Sequence, residues 1–106
     1  MTQTLVPVFA ALGDETRWGI LAALGEGDAS ASALAGRLPV SRQAIAKHLA
    51  VLQGVGLVAP VRVGREVQFR VIGAELSETA HRLDAIGAEW DRRLAVIRDV
   101  AEGLQK

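Results

Sequence analysis

From Leu76 onward, apolar or small side chains return at alternating steps of four and three: Leu76, Ala80, Leu83, Gly87, Trp90, Leu94, Ile97, Ala101 and Leu104. This is the spacing of a helix with a single apolar seam. It predicts one helix of about 28 residues, spanning about 42 Å. The whole chain has 106 residues, enough for one compact domain but too few for a core that also covers such a seam. Left bare, the seam would be a large exposed apolar stripe, so the less costly arrangement lays it against a second copy as an obligate or near-obligate homodimer. The competing arrangement folds the seam back onto its own domain.

Half of the residues are hydrophobic and 23% are charged, a balance that suits a globular chain and not a disordered one. The chain has no cysteine, which excludes disulfides, thiolate metal sites and cysteine nucleophiles and favours a cytoplasmic location. The longest unbroken apolar run is eight residues, Leu5–Leu12, with no Lys or Arg before it. A bilayer span needs about 20, so neither a membrane anchor nor an export signal is expected.

The formal net charge is zero, but the charges are segregated. Residues 37–70 hold Arg37, Arg42, Lys47, Arg62, Arg65 and Arg70 against Glu66 alone, and the segments on either side are net acidic. A local basic patch on a neutral protein is compatible with a phosphate backbone as partner, and also with an ordinary solvated face.

Along the chain, Leu5, Val8, Phe9 and Leu12 recur at helical spacing and predict a short first helix broken at Gly13-Asp14. Asp14 can cap a second helix with Ile20, Leu21 and Leu24 on its buried stripe, ending at Gly25 and Gly27. Ser30 can cap a third carrying Ala31, Leu34 and Leu38, which stops before Pro39. After a tight turn, Ser41 can cap a fourth running to Gln53 or Gly54. Its buried stripe is Ile45, Leu49 and Leu52, so Gln43, Ala46, Lys47 and Ala50 face outward, with Arg42 and Gln53 at the edge. Residues 57–63 and 66–72 read as two strands joined by a Gly64-Arg65 turn. In the second strand Val67, Phe69 and Val71 alternate with Glu66, Gln68 and Arg70, the pattern of one buried and one wet face. Pro60 requires a free edge on the first strand.

Two short helices joined by a tight turn, the second capped by serine and followed at once by a basic hairpin, have the build of a helix-turn-helix with a wing. The run Ser41-Arg42-Gln43-Ala44-Ile45-Ala46-Lys47-His48-Leu49-Ala50-Val51-Leu52 resembles the winged helix-turn-helix repressors of the ArsR type. So do Gly13-Asp14, Thr16-Arg17, Ile20-Leu21, Leu34-Ala35 and Gly56-Leu57-Val58, and the resemblance covers residues 5 to about 100. Trp90-Asp91-Arg92-Arg93-Leu94 is similar to the last helix of a metal-independent branch. The resemblance implies a mainly α fold of five helices plus a two-stranded wing. It makes residues 1–106 a single domain, with a DNA-binding core at 5–73 and a dimerisation helix at 74–104. The implied function is sequence-specific repression by a homodimer on an inverted-repeat operator in double-stranded DNA.

Arg can bond two guanine acceptors in the major groove and Gln can pair with adenine, so Arg42 and Gln43 are the expected base readers. Lys47, one turn further on, suits a base or a phosphate, and Ser41 can touch a phosphate while capping the helix. Ala46 keeps the face flat and can meet thymine methyls. Arg62 and Arg65 on the hairpin would reach the minor groove or backbone. His48 flanks the buried stripe and serves either the core or a phosphate. The dimer interface is assigned to Leu5 and Phe9 of the first helix with Leu83, Trp90, Leu94, Ile97 and Ala101 of the last. Trp18, off its helix's buried stripe, suits packing better than a ligand pocket.

Zinc and arsenic-type sites need several His, Cys or carboxylate ligands. With two histidines and no cysteine, of which only His81 and Asp84 are suitably spaced, no metal and no cofactor is expected. No glycine-rich phosphate loop and no catalytic Ser/His/Asp or Cys/His arrangement is present, so the chain does not read as an enzyme. The resemblance also allows for an unidentified small-molecule effector, for which the sequence shows no site. The alternative function is a dimeric winged-helix module that binds proteins and no specific DNA.

Overall fold

The structure is a computed structural model that describes residues 5–104. Its elements follow the order α1 (Leu5–Leu12), α2 (Glu15–Glu26), β1 (Ala29–Ser30), α3 (Ala31–Arg37), α4 (Arg42–Gly54), β2 (Val58–Val63), β3 (Glu66–Val71) and α5 (Gly73–Leu104). Two compact units divide the chain, with the boundary between Glu75 and Leu76.

The helices α2, α3 and α4 begin and end for local reasons. Asp14, Ser30 and Ser41 are extended residues whose side-chain oxygens accept the backbone N–H of Arg17, Ala33 and Ala44, each satisfying one of the orphan donors of a first helical turn. Gly25 does not stop α2, which runs to Glu26 and ends at Gly27, whose N–H returns to the carbonyl of Leu24. At the end of α4 the N–H of Gly56 bonds Gln53 and that of Leu57 bonds Leu52, the paired bonds of a Schellman ending. Gly56 has φ +80°, a conformation that side chains disfavour and that turns the chain into the sheet.

Ile20, Leu34, Ile45, Leu49, Leu52, Leu57 and Val58 are fully buried and form the centre of the core. They come from α2, α3, α4 and the passage from α4 into β2, and α4 packs against both α2 and α3. In α1 the buried pair is Val8 and Ala11, whereas Phe9 remains exposed.

The expected two-stranded wing is the larger part of a three-stranded antiparallel sheet in the order β1-β3-β2. The third strand has only two residues, with Ala29 opposite Phe69 and Ser30 opposite Gln68. Two residues carry no period, so the sequence pattern could not reveal it. β2 is an edge strand, as Pro60 requires. The two-residue turn makes Val63 and Glu66 the terminal pair, and alternation along the ladder puts Pro60 and Phe69 in a non-hydrogen-bonded pair. The proline nitrogen therefore points away from β3. Gly64 has φ +62° and Arg65 a negative φ, the first-glycine pattern of a type II′ hairpin.

One expectation about the wing fails. Val67 is 42% exposed and no residue of β3 is buried, so its alternation does not separate a core face from a wet one. The period-2 pattern marks two faces whether or not a layer covers either of them.

The described part of the second unit is the long helix from Leu76 onward. α5 has 32 residues, a length of about 48 Å, and none of them is buried. Leu83, Trp90, Leu94 and Ile97 are all exposed, as are Ile86, Val96 and Val100 beside the seam. Glu89 bonds Arg92 and lies 3.6 Å from Arg93, whose guanidinium stacks over Trp90 at 5.1 Å. No helix among the described residues is long and apolar enough to cross a membrane.

Candidate nucleic-acid interface

α3 and α4 are joined through Leu38, Pro39, Val40 and Ser41. The N–H of Leu38 closes α3 on Leu34, the N–H of Val40 bonds the carbonyl of Leu38 at 2.8 Å, and the Ser41 cap starts α4. With two intervening residues and a cap at either side, the second helix has little freedom relative to the first. Burial of Ile45, Leu49 and Leu52 at 0%, 1% and 0% exposure fixes its rotation. The rest follows from about 100° per residue. Arg42, Ala46, Ala50, Gln43 and Lys47 occupy one continuous arc of about 140°, and all are exposed.

His48 is not on that arc. It lies about 100° beyond Lys47, on the other flank of the buried stripe, and is half-buried. Its Nδ1 faces the Nη1 of Arg17 at 3.2 Å and the Oδ2 of Asp14 at 3.8 Å. Of the two roles left open for His48, this geometry favours the structural one.

Ion pairing sorts the basic residues of the middle segment. Arg37 bonds Glu26 at 2.9 Å, and Arg70 bonds Asp28 at 3.0 Å, so two of the six cations are neutralised by the acidic segment before them. Among the described residues, Arg42, Lys47, Arg62 and Arg65 have no carboxylate partner within ion-pair distance. Those four lie on the exposed arc of α4 and on the wing. The charge segregation seen in the sequence thus becomes a smaller and better-defined patch in the fold.

Arg42 and Arg65 also share an open cleft of about 520 Å³ between α4 and the wing, with Ser32, Val67 and Phe69 on its walls. Sequence reading missed this cleft because its lining comes from three separated segments. Arg62 is exposed on β2, paired across the ladder with Val67. Among the described residues, no group of three His, Cys, Asp or Glu side chains is placed to hold a metal ion, and His81 and Asp84 are both exposed on α5. Trp18 is 61% exposed on α2.

Residues 12–61 match the family model of a helix-turn-helix domain. The chain is similar to the solved structure of an ArsR-like transcriptional regulator from Rhodococcus sp. RHA1, with 66% identity, 92% of each chain covered and a TM-score of 0.85. It is similar to reduced HlyU from Vibrio cholerae N16961, with 31% identity over 74% of this chain and 85% of that one and a TM-score of 0.60. A homodimeric winged helix-turn-helix DNA-binding domain from Mycobacterium bovis shares the fold, at 24% identity over 80% and 79% of the two chains and a TM-score of 0.66. None of the curated proteins matches the chain.

Proposed function

The chain belongs to the ArsR-like transcriptional regulators and is a DNA-binding regulator of winged helix-turn-helix fold; from that premise we propose that it is a homodimeric repressor which reads an inverted-repeat operator through α4. Each subunit presents α4 to a major groove, and the two grooves lie one helical turn, about 34 Å, apart. Gln43 and Lys47 reach base edges, Ala46 and Ala50 let the helix approach, and Ser41, Arg62 and Arg65 hold the backbone. Occupying the operator excludes polymerase from it.

The observation that carries this reading is the set of four cations on α4 and the wing that have no carboxylate partner among the described residues, in a protein whose net charge is zero. Arg37 and Arg70 find carboxylates in Glu26 and Asp28, and among the described residues these four do not. Pairing through α5 is supported by its exposed seam of Leu83, Trp90, Leu94, Ile97 and Ala101, with Leu5 and Phe9 of α1 assigned to the same interface.

Selection of bound duplexes from a random pool tests the proposal. A palindromic site with half-site centres about one turn apart is expected, and affinity should fall with salt at a log–log slope near about −7 for about eight phosphate contacts. Gln43→Ala should cost about 1–3 kcal/mol on the selected site and flatten the preference at one base pair of each half-site. Enrichment of no sequence, with binding that ignores duplex identity, would overturn the operator reading.

A further inference from the structure

Arg42 is the first residue of α4 and lies at the margin of its exposed arc. Leu49, buried at 1% exposure, is only about 20° away around the helix, whereas Gln43 and Lys47 are about 100° and 140° away on the other side. Side chains on a helix lean toward its N-terminus, so Arg42 leans off the end of α4 and lines the cleft that Arg65 lines from the wing. Two arginines line one open space there, and among the described residues neither has a carboxylate within ion-pair distance. Glu66 contributes to the rim, but its Oε1 accepts from Gln68 Nε2 at 2.9 Å. Alternation along β3 sets those two side chains on the face opposite Val67 and Phe69.

A base edge can accept from one arginine but is uncharged, so it would not offset the excess of two arginines over Glu66, the one carboxylate of the lining. A phosphodiester would, because its two free oxygens match the paired donors of a guanidinium and it carries the missing negative charge. The hydroxyl of Ser32, on the same wall, supplies a further donor. Resting on the DNA-binding reading above, we propose that this cleft seats one backbone phosphodiester of the operator, clamped by Arg42 from the helix and Arg65 from the wing. Arg42 then sets the register of α4 in the groove and does not read a base, which reverses the role its sequence position suggested. Base discrimination passes to Gln43 and Lys47.

The test uses the full chain and the duplex selected from the random pool. Wild type, Arg42→Ala, Arg42→Lys, Arg65→Ala and the double alanine variant are titrated against every single-base change of the site. They are also titrated against duplexes in which one neutral methylphosphonate is moved along each strand. Arg42→Ala is expected to weaken binding about tenfold on all base variants without changing their order, and to lower the salt slope by about 0.9 per subunit. Arg42→Lys, which keeps the charge, should recover most of that slope. One methylphosphonate position should weaken wild type but not Arg42→Ala, and the double variant should lose less than the two single losses combined. A preference that flattens at one base pair in Arg42→Ala, or a methylphosphonate scan that is the same for that variant and wild type, would overturn the clamp. Failure of wild type to bind any duplex would overturn the DNA-binding reading instead.

Discussion

Arg17 and His48 meet side chain to side chain across 31 residues, with Nη1 of the arginine 3.2 Å from Nδ1 of the imidazole. A guanidinium has no acceptor, so in this contact it is the donor and Nδ1 the acceptor. The same guanidinium donates through Nε to the carbonyl of Ala11 at 2.6 Å and through Nη2 to that of Ala10 at 3.2 Å. These carbonyls belong to the last turn of α1, where intrahelical donors run out; that of Ala10 also accepts the N–H of Gly13 at 3.3 Å. One side chain thus ties the end of α1, the start of α2 and the back of α4 together.

Replacing Arg17 by alanine should therefore loosen the mounting of α4 without touching its exposed face. The expected loss is about 1–2 kcal/mol, read as a lower urea midpoint with an unchanged slope. An unchanged midpoint would mean that water replaces all three bonds at no cost.

Asp14 gives the fold an acid-sensitive joint. The backbone N–H of Arg17 holds its carboxyl below the ordinary value of 3.8; partial burial opposes this, and the charges of Arg17 and His48 and the N–H of Thr16 lower it further. Because the folded-state value is depressed, the stabilisation is full above the unfolded-state value and is lost as pH falls through the folded one. Asp14→Asn keeps a capping oxygen but cannot titrate. Unfolding measured from about pH 6 down to about pH 2 should show wild type losing stability that the variant does not; parallel curves would remove Asp14 as the source.

Ser41 holds the turn and the helix start at once, accepting the N–H of Ala44 at 3.1 Å. Ser41→Ala should lower stability by about 1 kcal/mol, and Ser41→Gly by only a few tenths, a ranking peculiar to a cap. Equal losses for the two in thermal melts would point to some other role.

The seam of α5 invites the most direct experiment. Leu94 and Ile97 are 57% and 62% exposed, so aspartate at both should leave the helix-turn-helix unit folded while making the pairing of two copies unfavourable. Sedimentation should report a single subunit, and operator binding should fall with it. A dimer of undiminished stability would place the interface elsewhere.

The fourth helix was legible in advance because everything that defines it is near in sequence. Its serine cap, its i, i+4, i+7 stripe and its glycine ending all lie within the helix or a few residues of it, and Gly64 marks the wing turn in the same way. The exposed arc with Gln43, Ala46 and Lys47 follows from that stripe alone. Less was legible where a feature is too short to have a period, as with β1, or where a pattern shows two faces without showing what covers them, as with Val67 and Phe69. In α1, helical spacing picked out Val8, which packing buried, but not Ala11, which packing buried beside it.

Charge behaved differently, for a reason of range. Sequence order sufficed to show a basic middle between acidic flanks, since that needs only counting. Which cations survive as a patch depends on approach distances between residues far apart in the chain, such as Arg70 and Asp28, 42 positions apart, and Arg37 and Glu26, 11 apart. His48, free by spacing to serve either role, was drawn to Arg17 and Asp14 by the same kind of encounter. Caps, turns and helical stripes depend on bonds between neighbours and are written locally. Ion pairs, and the cleft that Arg42 shares with Arg65, exist only once the core has brought distant segments within a few ångströms, because direct pairing in water loses its strength over that distance.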